Sequence, residues 1–510
     1  MRKFSLLLTA LIITCTAILS PQAYGASAKE TTAANNIKKL ETAVKSKNWR
    51  NAATYSNQLA IYYEEIGQYD NAVRYFDENA EYSTKAGIHP SFAVASTIRA
   101  DHLRTSTEVY VSMPVKSNRT LEKFEPLSGA YIGMFPGDKL SNADYSKIES
   151  LYGKKHAIFL TYAHWRRGYE DTNSVFPVEK AAQAKAAGGA LQIGWEPSNG
   201  LDDVLDDEYV RQFAREAKES GIPIFLRFAG EMNGPWVPWN DKPEKYIEKF
   251  RLIHDIMEEE APNVAMVWSP NFLPRDNIDP FYPGDKYVDW VGFSLYTIPY
   301  SQGREVPGGS AIDYLRPLYE KYSKKPIMVS EGAISFVSYQ LGKTYSNWAV
   351  GQLDNMYTYL ARIFPQVKAI TYFNLDKMTT NYDNQNNNYD LSDDPAMLKK
   401  YKKVIQSNYF LSNVETGATN NGGEQFVPIN KAASSLKGKM DAMVYVKLPL
   451  GNHPYYVAIY QGKTKLGEAY AAPWSMEIDF DKVKLKEPIT VIAFDKNFKR
   501  LSTTNMTIKP

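Results

Sequence analysis

From about Ser128 onward the chain alternates two kinds of text. Eight apolar runs of β type occur in order: "GAYIGMF", "HAIFLTYAHW", "GGALQIGWEP", "IPIFLRFAGE", "NVAMVWSPN", "VDWVGFSLY", "KPIMVSEGA" and "VKAITYFNL". Amphipathic helical stretches separate most of them, such as "DEYVRQFAREAKES" before the fourth and "EKYIEKFRLIHDIMEEE" after it. Strands this continuously apolar are buried on both faces, which requires a parallel sheet covered by helices. Eight of them in one domain predict a (β/α)8 TIM barrel, an α/β fold, over residues 119–410. The alternative, a doubly wound open sheet, lacks a Gly-rich phosphate loop after its first strand.

The text on either side differs. Residues 29–118 read as helical, and two segments echo each other: "NWRNAATYSNQLAIYY" and "QYDNAVRYFDENAEY". Trp49, Ala52 and Tyr55 match Tyr69, Ala72 and Tyr75, placing ring, small residue and ring on one helix face. This pattern resembles half of a tetratricopeptide repeat, and an ordinary helical hairpin satisfies it as well. Residues 411–430, with "NVETGATNNGGEQ", read as linker. Short alternating runs across 431–510, among them "MVYVKL", "YYVAIY" and "ITVIAF", predict an Ig-like β-sandwich. That sandwich is expected to be separable, so that removing residues 425–510 leaves activity on soluble substrate nearly intact. Tyr455, Tyr456 and Trp474 are its candidate polysaccharide-stacking rings, set against a plain spacer role.

The first 28 residues have the form of an export signal: Arg2 and Lys3, an apolar run, and a small-residue segment suited to cleavage after Ala28. A retained membrane anchor is the competing reading. The sole cysteine, Cys15, falls inside this segment, so the mature chain is expected to hold no disulfide despite export. Losing Arg2 and Lys3 from 59 basic residues leaves 57 against 57 acidic ones. No basic footprint for nucleic acid results. The expected location is extracellular, with no stable membrane insertion after cleavage. The Tyr/Ala face of the helical segment must be covered, and the expected cover is the barrel itself, making residues 35–115 part of one structural unit; a cell-surface partner is the alternative.

A TIM barrel presents its chemistry at the C-terminal ends of its strands. Here those ends carry Tyr162, His164 and Trp165; Trp195 and Glu196; Arg227 and Glu231; Trp268 and Asn271; Tyr296; Glu331; Phe373 and Asn374. The turn after Arg227 adds Asn233, Trp236 and Trp239. Clefts that bind sugars use indole rings for C–H faces and polar side chains for hydroxyls. On that reasoning His164, Trp195, Arg227, Asn233, Trp236, Trp239, Trp268, Tyr296 and Phe373 are candidate substrate contacts. Two carboxylates enter the mouth from different strands, Glu231 and Glu331. Such a pair can run retaining glycoside hydrolysis, one as nucleophile and the other as acid/base. The aromatic wall suits Glu231 to the acid/base role. Glu331 must stay charged, for which Tyr296 is a candidate donor.

The segments "GGALQIGWEP", "RFAGEMNGPWVPW", "VWSPN", "YPGDKYVDWVGFSLY" and "KPIMVSEGA", in that order, resemble glycoside hydrolase family 26. The resemblance covers the barrel alone. It implies a retaining endo-β-glycanase with Glu231 as acid/base and Glu331 as nucleophile, working without a cofactor on β-1,4-mannan first, then on mixed-linkage β-glucan or β-xylan. A bacterial exopolysaccharide ranks last among the expected substrates. Trp236 and Tyr296 match active-site aromatics, and His164 and Trp195 match sugar contacts. One departure stands out: the family commonly carries His immediately before the acid/base, and this chain has Gly230. A non-catalytic glycan-binding scaffold, in which the barrel is a relic, is the rival of another class. The Asn/Asp-rich loop "DKMTTNYDNQNNNYDLSDD" matches no calcium-loop spacing, so no metal is assigned.

Overall fold

The computed structural model describes residues 21–115, 119–166, 173–240, 242–299, 309–338, 341–377, 387–420 and 423–509, with backbone only for 21–27. Most of the expected export signal therefore lies outside the described residues, as does 378–386 of the Asn/Asp-rich loop. Two compact units divide the chain, the first ending at Ala93. Among the described residues, no helix is long and apolar enough to cross a membrane.

The first unit contains α1 (Pro21–Lys45), α2 (Trp49–Glu65) and α3 (Tyr69–Lys85). The two echoing segments form α2 and α3. Ala52, Ala60 and Ala72 are fully buried between them, because only a small residue lets helix axes approach closely. Tyr63 stacks on Tyr75 at 5.4 Å and Trp49 on Tyr82 at 5.9 Å. Asn79 donates to the Ala53 carbonyl and ties the pair together.

The second unit holds the barrel. Its strands are β2 (Ala130–Pro136), β3 (Ile158–His164), β4 (Ala190–Glu196), β5 (Ile224–Phe228), β6 (Val264–Trp268), β7 (Trp290–Thr297), β8 (Ile327–Ile334) and β9 (Val367–Asn374). All neighbours pair parallel, and β9 closes on β2. All eight sequence runs correspond to these strands. Helices lie between most of them, for example α7 (Glu208–Ser220) between β4 and β5. Its start is capped by Asp207, which accepts from the Val210 N–H at 3.2 Å, and Gly221 ends it in the left-handed conformation. Tyr209, Val210, Phe213, Ala214 and Ala217 form its buried stripe. Tyr131, Ile158, Phe225, Val267, Trp290 and Met328 fill the lower barrel interior.

The sandwich differs from expectation in where its strands come from. β1 (Ser106–Pro114), inside the region read as helical, is a central strand between β10 (Glu424–Pro428) and β11 (Lys439–Lys447). β14 (Ser475–Asp479) completes that antiparallel sheet. The second sheet holds β12 (Tyr456–Gln461), β13 (Thr464–Ala469), β15 (Ile489–Phe494) and β16 (Arg500–Met506). Several contacts tie this sandwich to the barrel. Lys447 pairs with Asp313 and Glu108 with Arg316 at 2.8 Å, the second partner in each case lying on α9 (Ala311–Tyr322) of the barrel. Tyr359 of the barrel packs against Tyr445 and stacks on Trp474. Trp474 and Tyr456 are buried, so of the three candidate stacking rings only Tyr455 is exposed.

Candidate active site

Strand alternation sorts the mouth residues by face. In β4, Gln192 bonds across the interior to Thr371 and Ser330, so Gly194 and Glu196 also point inward. Trp195 then points outward, where it stacks on Phe213 of α7 at 3.9 Å. Trp268 likewise lies on the outer face of β6, against Tyr282 and Tyr322. Both indoles are fully buried. They belong to the layer between barrel and helices, not to the sugar cleft expected for them. Trp239 is also buried and donates its indole N–H to the Gly230 carbonyl at 2.9 Å. Asn233 is buried too. Its amide donates to the Asn271 and Pro274 carbonyls, and its oxygen accepts from the Asn271 N–H. These two residues brace the catalytic-side loop.

Glu331 faces inward for a less regular reason. Ser330 bonds Ser269 at 2.7 Å in the interior, so strict alternation would turn Glu331 outward. The pairing of β8 with both neighbours shifts register beside it. Such an irregularity re-aims a side chain. Glu331 consequently meets three donors: Tyr162 at 2.5 Å, Tyr296, and the Arg227 guanidinium. Burial pushes its carboxyl up, but the Arg227 charge and the two phenols outweigh this and hold it below the usual range. Burial and the Glu331 charge together push both phenols up, so they remain donors.

Arg227, expected to contact hydroxyls, is buried and committed to protein groups. Its Nε donates to Ser269 and its Nη2 to Ser294, each at 2.9 Å. Burial disfavours its charge, yet the Glu331, Tyr162 and Glu231 fields push its pKa upward overall. Nη2 also stands 3.7 Å from a Glu231 oxygen. One cation thereby spans both carboxylates.

Glu231 sits in a strained turn, with φ of +58°, just after Ala229 at +46°. A non-glycine residue in this region is uncommon and points to functional constraint. Neighbouring strands hold the turn: the Ala229 N–H bonds the Trp195 carbonyl and the Glu231 N–H bonds the Ser269 carbonyl. The Glu231 carboxylate accepts from Trp236 Nε1 at 2.6 Å and Asn271 Nδ2 at 3.0 Å. Trp236 is 53% exposed, leaving ring area for a ligand. Phe373 is nearly buried, stacked on Phe135 at 4.8 Å and edge-on to Tyr162 and Tyr296. It backs the tyrosines that hold Glu331.

Glu196 is not among the candidate contacts read from the sequence, although counting by two from Gln192 aims it into the mouth. Its carboxylate lies 3.5 Å from Nδ1 of the largely exposed His164. Burial raises its pKa, Arg227 opposes this, and the Glu331 charge adds to it. A third carboxylate thus borders the Glu231 and Glu331 pair.

Residues 197–306 match the family model described as glycosyl hydrolase family 26. The chain contains a glycosyl hydrolase family 26 region. The matched stretch includes Glu231 and Tyr296, while Glu331 lies beyond it. Endoglucanase H of Acetivibrio thermocellus is 27% identical across 54% of this chain and 30% of its own length. A mannan endo-1,4-beta-mannosidase of Bacillus subtilis (strain 168) is 31% identical across 35% of this chain and 60% of its own. A beta-1,3-xylanase of Vibrio sp is 30% identical across 21% and 25%. This chain thus spans under two thirds of the length of each of these relatives. Among solved structures, GH26A from Muricauda sp. MAR_2010_75 is similar over 56% of this chain and 91% of that one, at 19% identity and a TM-score of 0.37.

Proposed function

We propose that the chain is an exported, retaining endo-β-glycanase. Glu331 attacks the anomeric carbon while Glu231 protonates the departing glycosidic oxygen. Glu231 then takes a proton from water, whose oxygen attacks the anomeric carbon and releases Glu331. The observation that carries this reading is the Arg227, Tyr162 and Tyr296 cradle. It keeps one buried carboxylate ionised beside a second whose oxygens border an exposed indole. A relic barrel has no need to hold a buried nucleophile in this form, since isolated buried charge is costly.

The substrate proposed first is β-1,4-mannan. A β-glucan is the second reading, favoured by the endoglucanase similarity over 54% of this chain and by Gly230. Proton NMR of the first products tests the chemistry: retained configuration is expected, and inverted products would refute the two-step mechanism. Glu331→Gln is expected to abolish turnover without unfolding the chain. New reducing ends released from a panel of mannan, mixed-linkage glucan and xylan would rank the substrates. Export is tested by finding the chain in the medium with Lys29 at its N-terminus. The helical hairpin is assigned to a cell-surface partner, tested by whether its deletion releases the chain from cells.

A further inference from the structure

A second concavity lies well away from this chemistry, in the seam between barrel and sandwich. It has a volume of about 340 Å³, within the range of small-ligand sites. Asp354, Thr358, Arg362, Lys400 and Lys403 form its barrel wall, while loops around Tyr455 and Tyr470 form its sandwich wall. Neither domain makes the site alone.

Its barrel wall begins in a π-helical turn, Asp354–Tyr359. Such turns are rare and occur disproportionately at functional sites. On the opposite wall Trp474 holds φ of +48°, an outlier for a bulky residue. The Trp474 ring stacks on Tyr359 across the seam, 17° from parallel. The two walls are therefore pinned at a set separation.

Charge in the cleft is unbalanced. Lys400 is paired with Asp354 at 2.5 Å. Arg362 lies 4.6 Å above the Tyr409 ring and donates to the Thr358 carbonyl and the Ser407 hydroxyl. Among the described residues neither Arg362 nor Lys403 has a carboxylate partner. Beside this positive wall, Tyr455 and Tyr470 are 52% and 55% exposed. Tyr470 stacks on Tyr456 at 4.6 Å, which presents its other face outward.

We propose that this cleft binds a carboxylated sugar, a hexuronic acid unit of an acidic polysaccharide, separately from the hydrolytic cleft. Flat C–H faces of the sugar pack on Tyr470 and Tyr455, and its carboxylate meets the exposed Lys403, with the buried Arg362 charge behind it. A neutral sugar would leave the cations unmatched. A small anion without a ring would leave the tyrosines unused.

Calorimetric titration of the full chain carrying Glu331→Gln, with turnover silent, tests this apart from the hydrolytic reading. The probes are a hexuronic acid tetrasaccharide, its neutral counterpart and inorganic phosphate. The acidic sugar should bind about tenfold more tightly than the neutral one, and less tightly as salt rises. Tyr470→Ala and Lys403→Ala should each weaken it by about fivefold or more, with melting temperature unchanged, since both side chains are exposed. Absence of acidic-sugar binding, equal affinity for the neutral sugar, tighter binding of phosphate, or unaltered affinity in both variants would overturn the proposal.

Discussion

Gly230 and Arg227 compete for one volume: a Cβ on Gly230 would stand 2.7 Å from Arg227 Nε and 2.9 Å from its Cζ. A long side chain can usually move aside. This guanidinium cannot do so freely, because it is bonded to Ser269, Ser294 and Glu331. The glycine that replaces the expected histidine is therefore what this placement of Arg227 requires.

Gly230→Ala should displace the guanidinium and slow catalysis by about 10- to 100-fold, as a misplacement near 1 Å can. Gly230→His should be worse and should not behave as a restored family residue. Steady-state kinetics with circular dichroism as a folding control would check this. An active, mannan-selective Gly230→His variant would contradict the steric argument.

The pH profile follows from the Glu331 cradle. Its pKa lies below the ordinary value of 4.5, so the acid limb of kcat/KM should fall below that pH. A depressed folded pKa also contributes stability that is present above the unfolded pKa and is lost as pH falls through the folded one. Tyr296→Phe removes one lowering hydrogen bond. It should move the limb upward and cost about 10- to 100-fold in kcat/KM, the worth of a hydrogen bond to a charged group. A limb that stays in place would remove Tyr296 from this role.

Trp236 and Trp195 should respond oppositely. Truncating exposed Trp236 to Ala should raise KM and lower kcat with little change in melting temperature. Trp195→Ala empties a core site and should cost about 3–5 kcal/mol of stability. Denaturant titration beside substrate kinetics separates the two. A raised KM in a fully stable Trp195→Ala would return that ring to the cleft.

Glu196→Gln removes a negative charge beside the pair and one acceptor beside His164. We expect the ratio of kcat/KM on glucan to that on mannan to change about tenfold, the order expected when a polar sugar contact is altered. An unchanged ratio would exclude Glu196 from substrate choice.

Truncation after residue 423 should lower the melting temperature of the barrel sharply. It strips β1 of both its partner strands and leaves Asp313 without Lys447, and breaking a buried pair costs about 3–5 kcal/mol. A truncated chain that melts like the full one would show that these contacts are dispensable.

Sequence alone determined the barrel, because its strands are apolar on both faces and that pattern is local. The carboxylate candidates were legible for the same reason, each ending a recognisable strand. The faces of the tryptophans were also within reach, since counting by two from Gln192 separates Trp195 from Glu196. Three features needed the tertiary structure. The irregular pairing that turns Glu331 inward depends on register with two neighbours, which no single strand records. The three donors of Glu331 come from β3, β5 and β7, elements brought together only by barrel closure. β1 joins partners more than 300 residues away, and a strand's own residues say how it alternates, not which distant edge it will complete.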